Sequence, residues 1–264
     1  MVRLDRRSRV IGFMARESDE GMGMETTRSV RWDALRKQRL VAPSLLSADF
    51  TTLADAIRVV EDAGAQVLHL DIMDGHFVPN ITFGPPLVAS IRRVTRLFLD
   101  AHLMIADPLA FFEPFAKAGA DSLTVHAETG VTMSRCRAEA DRLGIRLGLA
   151  VRPDSPVSDL LDRHGDVCDL ILLMSVVPGF GGQSFLAGST QRLRSAAAYC
   201  RHAARRPVLE VDGGITSENV AEAVRAGARW LVAGNAVFRA HDPAEAFRGL
   251  EKVVREAADP PPPA

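Results

Sequence analysis

The amino-acid sequence predicts an α/β fold, a single (β/α)₈ (TIM) barrel with a parallel eight-stranded core. Three observations support this prediction: eight short apolar runs alternate with eight stretches of helical spacing, the pattern occupies residues 40–257, and several helical stretches end in glycine just before the next run. Eight such units are the number that closes a barrel. An open doubly wound sheet would place a GxGxxG sequence after the first strand, where the chain has Pro43-Ser44-Leu45-Leu46-Ser47.

Apolar runs bounded by turn residues predict strands that are buried on both faces. They cover residues 40–46, 66–72, 97–103, 122–125, 146–151, 170–175, 208–211 and 230–233. Apolar residues spaced three or four apart predict helices between them. These cover residues 53–63, 86–94, 108–118, 131–143, 157–163, 190–203, 217–226 and 243–257. Gly64, Gly119, Gly144 and Gly227 stand where a helix commonly ends in a left-handed residue.

The two ends of the 264-residue chain differ from the middle in composition. We expect a poorly ordered N-terminal extension over residues 1–39, the barrel domain over 40–258, and a disordered Pro-rich tail over 259–264. The first 40 residues carry ten Lys or Arg against six Asp or Glu, with little apolar periodicity. Acidic residues at 17, 19 and 20 argue against a transit peptide. An alternative is that translation starts at Met22 or Met24.

Composition excludes several classes of protein. The formal charge of −1 and the pI of about 6.7 give no overall attraction to nucleic acid or to an acidic membrane. The chain has no apolar run long enough to span a bilayer. Its three cysteines show no CxxC spacing, which indicates a reducing compartment. We therefore expect a cytoplasmic protein with no nucleic-acid or membrane partner.

Polar residues at strand ends mark the candidate site, because barrel enzymes place their chemistry at the carboxyl ends of the strands. Alternation puts His69 and Asp71 on one face of the second strand, while strands three and seven end in His102 and Asp212. Taken singly, each is more often a core histidine or a turn aspartate. Together, two imidazoles and two carboxylates suit one divalent ion per subunit, Zn²⁺, Fe²⁺, Co²⁺ or Mn²⁺.

Glycine turns follow strands six, seven and eight, where barrels often bind phosphate. They contain Gly179, Phe180, Gly181 and Gly182, then Gly213 and Gly214, and finally Gly234 and Asn235. A metal at the centre and a phosphate at the rim suit a small phosphorylated sugar. Two carboxylates can then move a proton next to a carbonyl while the metal stabilises the enediolate. Metal-assisted hydrolysis and aldol cleavage remain open at this point, whereas a Schiff-base aldolase is disfavoured because no strand ends in lysine.

Five segments closely resemble the ribulose-phosphate 3-epimerase family: Ala42–Asp49, Leu68–Asn80, His102–Met104, Pro178–Gln183 and Val211–Gly214. The resemblance implies a barrel enzyme that interconverts D-ribulose 5-phosphate and D-xylulose 5-phosphate, as a dimer or a hexamer. It implies His69, Asp71, His102 and Asp212 as metal ligands, with Asp71 and Asp212 also as the acid/base pair. It further implies substrate contacts from Ser44, His69 and His102, a wall of Met73, Met104 and Met174, and a phosphate clamp in the three glycine turns.

Two positions depart from the family pattern, Val177 for the usual Asn or Glu and Asn235 for the common Ser. Neither departure is at one of the four ligand positions, which are all intact. A six-carbon substrate, as in D-allulose-6-phosphate 3-epimerase, is the nearest alternative. A phosphate-binding barrel decarboxylase would place Asp-x-Lys where the chain has Asp71-Ile72-Met73. A barrel retained only for binding or structure would have lost at least one of the four ligands, and all four are present.

Overall fold

The computed structural model describes residues 30–257, in which eight parallel strands form one barrel sheet. The strands are β1 Leu40–Pro43, β2 Val67–Met73, β3 Phe98–Met104, β4 Ser122–His126, β5 Arg146–Val151, β6 Leu170–Met174, β7 Val208–Asp212 and β8 Trp230–Ala233. Their order around the sheet is β1-β8-β7-β6-β5-β4-β3-β2. A parallel bridge between Ser44 and His69 joins the two ends. The predicted (β/α)₈ barrel is confirmed.

Helices follow the strands in nearly the predicted places. They are α1 over residues 30–35, α2 Leu53–Asp62, α3 Pro85–Val94, α4 Phe112–Ala118, α5 Met133–Leu143, α6 Val157–His164, α7 Ser189–His202, α8 Val220–Arg225, α9 Asn235–Phe238 and α10 Pro243–Glu256. The short helix α9, directly after β8, was not predicted. Gly64, Gly119, Gly144 and Gly227 have the expected positive φ angles. Among residues 30–257, no helix is both long and apolar enough to cross a bilayer.

Side chains alternate between two cores, as β-strand geometry requires. On β2, Leu68 and Leu70 face outward into the apolar layer between the strands and the helices. Val67 faces inward, where it joins Phe98 and Trp230 at the bottom of the barrel. Above this apolar floor the inward positions become polar, and these positions form the candidate site.

Residues 30–39 correct the expected boundary of the N-terminal extension. Trp32 and Leu35 of α1 are 1% and 3% exposed and belong to the core at the bottom of the barrel. The Trp32 ring lies 5.8 Å from the ring of Phe98 and 5.7 Å from that of Trp230. Aromatic burial thus attaches α1 to the barrel. The rest of the extension and the Pro-rich tail lie outside the described residues.

Candidate active site

Three strands bring His69, Asp71, His102 and Asp212 together at the upper end of the barrel. Their ligand atoms all lie within 4.8 Å of one another. Asp71 Oδ1 is 3.5 Å from His69 Nε2 and 3.3 Å from His102 Nδ1. Asp212 Oδ2 is 4.0 Å and 3.9 Å from the same two nitrogen atoms. The cluster therefore presents two imidazole nitrogens and two carboxylates to one point.

The donor set and its surroundings fit a divalent cation. His69 Nε2 is buried and has no hydrogen-bond partner among residues 30–257, as expected of a ligand atom that faces a metal position. The other nitrogen, Nδ1, lies 2.8 Å from Asp100 Oδ2, and Asp100 Oδ1 accepts a 2.6 Å hydrogen bond from Ser122 Oγ. A carboxylate behind a ligating imidazole fixes its orientation and tautomer.

The two aspartates of the cluster differ in their pKa values in the protein alone. Burial opposes ionisation of Asp71, but the positive field and hydrogen bonds of His69 and His102 outweigh it and hold its pKa well below the ordinary value. Burial, reinforced by repulsion from Asp71, raises the pKa of Asp212 to about 6. Two carboxylates with separated pKa values are what a proton acceptor and a proton donor require.

Glu210 and Asp100 lie beneath this cluster, and sequence reasoning assigned neither a role. Both are fully buried, and Glu210 Oε1 lies 3.6 Å from His69 Nδ1. Burial, together with the nearby charge of Asp100, raises the pKa of Glu210 to about 8. A signal was present, because Asp100 and Glu210 stand two residues before His102 and Asp212 and so share their inward faces.

A cavity of about 460 Å³ opens above the cluster. Asp71 and Asp212 line its base, and Ser44 Oγ donates a 2.6 Å hydrogen bond to Asp71 Oδ2. The three methionines expected from the resemblance also line it: Met73, Met104 and Met174. All three are at most 4% exposed. His69 and His102 are fully buried and do not line the cavity. They belong to the cluster below it.

The three glycine turns meet on one side of the same cavity. Its lining includes Gly179, Phe180, Gly181, Gly182, Gly213, Gly214, Gly234 and Asn235. Gly214 has φ +64°, and a Cβ atom there would lie 2.4 Å from the backbone nitrogen of Phe185. A Cβ at Gly234 would lie 2.4 Å from Ser47 Oγ. Only glycine permits this close approach of the turns.

Loops after β2 and β6 meet across the mouth. Asn80 Nδ2 donates to the carbonyl oxygen of Gly179 at 2.9 Å, and Gln183 Nε2 donates to the carbonyl oxygens of Val177 and Phe180. Val177 is 62% exposed and lies outside the cavity lining. The departure from the family pattern at this position is therefore not part of the cavity wall.

One further buried histidine, His126 at the end of β4, was missed by sequence reasoning. Its Nε2 atom lies 2.8 Å from Nε2 of His102, and its Nδ1 atom lies 3.1 Å from Glu128 Oε2. Burial lowers the pKa of His126 to about 4. The signal was the same alternation that indicated the other site residues, because β4 ends in Thr124-Val125-His126.

Comparison with known proteins shows the family of the chain. A model of the ribulose-phosphate 3-epimerase family matches residues 40–238. The chain belongs to the ribulose-phosphate 3-epimerase family. It is 45% identical to the ribulose-phosphate 3-epimerase of Synechocystis sp., an alignment that covers 84% of this chain and 96% of that protein. It is 44% identical to the Bacillus subtilis ribulose-phosphate 3-epimerase, over 76% and 93% of the two chains.

Solved structures of other enzymes share the fold of this family member. The 3-hexulose-6-phosphate synthase of Salmonella typhimurium matches with a TM-score of 0.63 at 17% identity, over 83% of this chain and 100% of that one. Orotidine 5'-phosphate decarboxylase from Pyrococcus horikoshii matches with a TM-score of 0.61 at 16% identity, over 82% and 99%. At such identities the likeness concerns the barrel alone.

Proposed function

We propose that this isomerase interconverts D-ribulose 5-phosphate and D-xylulose 5-phosphate by moving the proton at C3, with Asp71 and Asp212 as the acid/base pair. The observation that carries the proposal is the pair of carboxylates at the base of one cavity, with oxygen atoms within 4.8 Å and oppositely shifted pKa values. They project from β2 and β7, which lie on different sides of the mouth. A proton can therefore leave one face of C3 and return to the other.

The residues that would hold a divalent metal are His69, Asp71, His102 and Asp212. The carboxylates around His69 favour a positive charge at the site. Burial lowers the pKa of His69, but Asp71 and Asp100 outweigh this effect and raise that pKa well above its ordinary value. When bound, the ion supplies Lewis acidity that lowers the energy of the deprotonated substrate. Zn²⁺, Fe²⁺, Co²⁺ and Mn²⁺ all accept this nitrogen and oxygen donor set.

The protein's own groups account for the proton movements. Asp71 is ionised and takes the proton from C3, while Ser44 Oγ–H holds its other oxygen at 2.6 Å. Asp212, whose pKa burial raises to about 6 in the protein alone, donates a proton to the opposite face of C3. The net result is a proton moved from Asp212 to Asp71, which exchange with solvent resets. In the reverse reaction the two residues exchange roles.

The rim and the walls of the cavity explain the remaining recognition. We assign the sugar phosphate to the turns that contain Gly179–Gly182, Gly213–Gly214 and Gly234–Asn235, whose main chain can approach an anion closely. The buried side chains of Met73, Met104 and Met174 exclude water from the reacting carbon, which strengthens the electrostatic interactions there.

A decarboxylase of the phosphate-binding barrel type is the alternative from another class. That function would need a lysine beside the carboxylates, and the described residues that line the cavity include none. A comparison with a six-carbon ketose phosphate, such as D-allulose 6-phosphate, tests whether the enzyme prefers a five-carbon substrate. A coupled assay should give kcat/KM at least tenfold higher for D-ribulose 5-phosphate, and a preference for the six-carbon sugar would contradict the assignment.

Two further expectations belong to this proposal, a cytoplasmic location and a homo-oligomer of two or six copies. Analytical ultracentrifugation of the full chain separates dimer from hexamer, and a monomer would contradict the expectation.

A further inference from the structure

The cluster behind His102 is built from residues that have no part in the proton transfer. His102 and His126 face each other through their Nε2 atoms at 2.8 Å. On the far side, His126 Nδ1 lies 3.1 Å from Glu128 Oε2. The described contacts thus form a chain from Glu128 through His126 to His102, whose Nδ1 atom faces Asp71 and Asp212.

Hydrogen-bond counting restricts the protons in this chain to one arrangement when a metal is bound. A ligating Nδ1 atom of His102 carries no proton, so Nε2 of His102 must carry one. At 2.8 Å this N–H needs an acceptor, so Nε2 of His126 is the unprotonated nitrogen. The proton of neutral His126 is then on Nδ1, where it donates to Glu128. Every donor faces an acceptor only in this arrangement.

Resting on the proposed function, we propose that Glu128 and His126 are positioning residues that fix His102 in the tautomer required for metal binding. Neither touches the substrate cavity. Their effect reaches the reaction through the affinity of the site for its cation and through the orientation of the His102 ring. Outer groups of this kind typically contribute a factor of 10 to 100 to metal affinity.

Glu128 is itself held firmly. Its Oε1 atom accepts hydrogen bonds from the backbone N–H of Arg152 at 2.9 Å and from Ser155 Oγ at 2.5 Å. Burial opposes ionisation, but the hydrogen bonds from His126, Ser155 and Arg152 outweigh it and lower the pKa of Glu128 to about 2. The remaining oxygen, Oε2, is therefore an ionised acceptor aimed at His126.

The His126 ring is also fixed by packing. The centre of the Phe77 ring lies 4.7 Å from the centre of the His126 ring. The Arg152 guanidinium lies 4.2 Å from the centre of the Phe77 ring. Arg152 additionally donates to the carbonyl oxygen of Phe77 at 3.1 Å. The ring of His126 thus has little freedom to turn away from His102.

The substitution Glu128→Gln reverses the direction of the chain with almost no change in size. The backbone N–H of Arg152 is a fixed donor, so the amide oxygen of glutamine faces it. The NH₂ group then faces His126 Nδ1, which must become the acceptor. His126 Nε2–H then points at His102, whose proton moves to Nδ1, the atom that would ligate the metal.

The test measures the dissociation constant for Zn²⁺ of the metal-free protein by competition with a chromophoric chelator. We expect Glu128→Gln to weaken Zn²⁺ binding by about 10- to 100-fold. The matched control Glu139→Gln, at a surface glutamate paired with Arg142, should stay within about twofold of wild type. Histidine ¹⁵N spectra of the Zn²⁺ form should show protons on His102 Nε2 and His126 Nδ1.

A conservative replacement separates positioning from simple packing. His126→Gln supplies one carbonyl acceptor for His102 and one amide donor for Glu128, so we expect it to keep the Zn²⁺ dissociation constant within about threefold. His126→Phe fills the space but has neither group and should weaken binding by about 10- to 100-fold. This pair tests the proposal even if Glu128→Gln does not fold.

The outcomes distinguish this proposal from the proposed function. Equal Zn²⁺ affinity in wild type, Glu128→Gln and His126→Phe would overturn the positioning role while leaving the epimerase proposal intact. A lower melting temperature without weaker metal binding would show a structural role only, and would also overturn it. A wild-type protein that binds no divalent metal would overturn both the positioning role and the metal assignment.

Discussion

The contact between α1 and the bottom of the barrel gives a quantitative prediction for Trp32→Ala. Trp32 is 1% exposed, and its ring meets the rings of Phe98 and Trp230 at 5.8 Å and 5.7 Å. Replacing a buried tryptophan by alanine typically costs about 3 to 5 kcal/mol of unfolding free energy. We expect this loss here, because the cavity opens against the rings of Phe98 and Trp230.

Urea unfolding, followed by far-UV circular dichroism, measures this loss. With a denaturant slope of about 3 kcal/mol per molar, a loss of about 4 kcal/mol lowers the urea midpoint by about 1.3 M. Trp32→Phe keeps an aromatic ring at the site and should lose about half as much. Val30→Ala, on the same helix at a side chain that is 66% exposed, should stay within about 0.5 kcal/mol of wild type. A midpoint shift below about 0.3 M for Trp32→Ala would refute the packing of α1 under the barrel.

Three further predictions concern the site. Asp71→Asn and Asp212→Asn should each lower kcat by about 10²- to 10⁴-fold while leaving the circular dichroism spectrum unchanged; near-normal turnover in either variant would refute the acid/base pair. Gly214→Ala places a Cβ atom 2.4 Å from the Phe185 backbone nitrogen, so it should raise KM for the sugar phosphate at least tenfold; an unchanged KM would contradict the phosphate assignment. In the metal-free protein, His126 has a pKa of about 4 against the ordinary 6.5, so the unfolded state binds more protons and the unfolding free energy should fall by about 3 kcal/mol as pH drops from 6.5 to 4. His126→Gln should flatten this part of the stability curve, and an equally steep curve would show that other groups cause it.

Strand positions could be predicted well because buried parallel strands are continuous apolar runs. The main error was at the end of β1, expected at Leu46 but found at Pro43. Ser44 begins a 3₁₀ turn over Leu45–Ser47, and its hydroxyl accepts from the backbone N–H of Leu46. The apolar residues Leu45 and Leu46 therefore extended the predicted strand, although in the structure they belong to the 3₁₀ turn that follows β1.

Helix starts were less predictable because polar side chains compete for the backbone there. The helix expected from residue 217 begins at Val220, since the side chain of Asn219 accepts from the backbone N–H of Thr216. The helix expected from residue 108 begins at Phe112, after a 3₁₀ turn over Leu109–Phe111. At the N-terminus, Trp32 and Leu35 have helical spacing, but their burial depends on a barrel floor that only the complete fold creates.

Alternation along the strands identified which site residues face inward, including His69, Asp71, His102 and Asp212. It could not show pairs formed between strands. His126 meets His102 because β3 and β4 align His102 with Thr124, which leaves His126 one inward position higher. The register and tilt of the closed barrel decide such contacts, and neither is encoded in a local pattern.

The central claim is that two carboxylates exchange the proton at C3, and one measurement tests it directly. The purified protein, loaded with metal, is incubated with D-ribulose 5-phosphate in D₂O, and the product is followed by NMR with Asp71→Asn and Asp212→Asn as controls. We expect D-xylulose 5-phosphate that carries deuterium at C3 from the wild type and almost none from either variant. Product that retains its original proton at C3, or wild-type rates in either variant, would contradict the two-carboxylate mechanism.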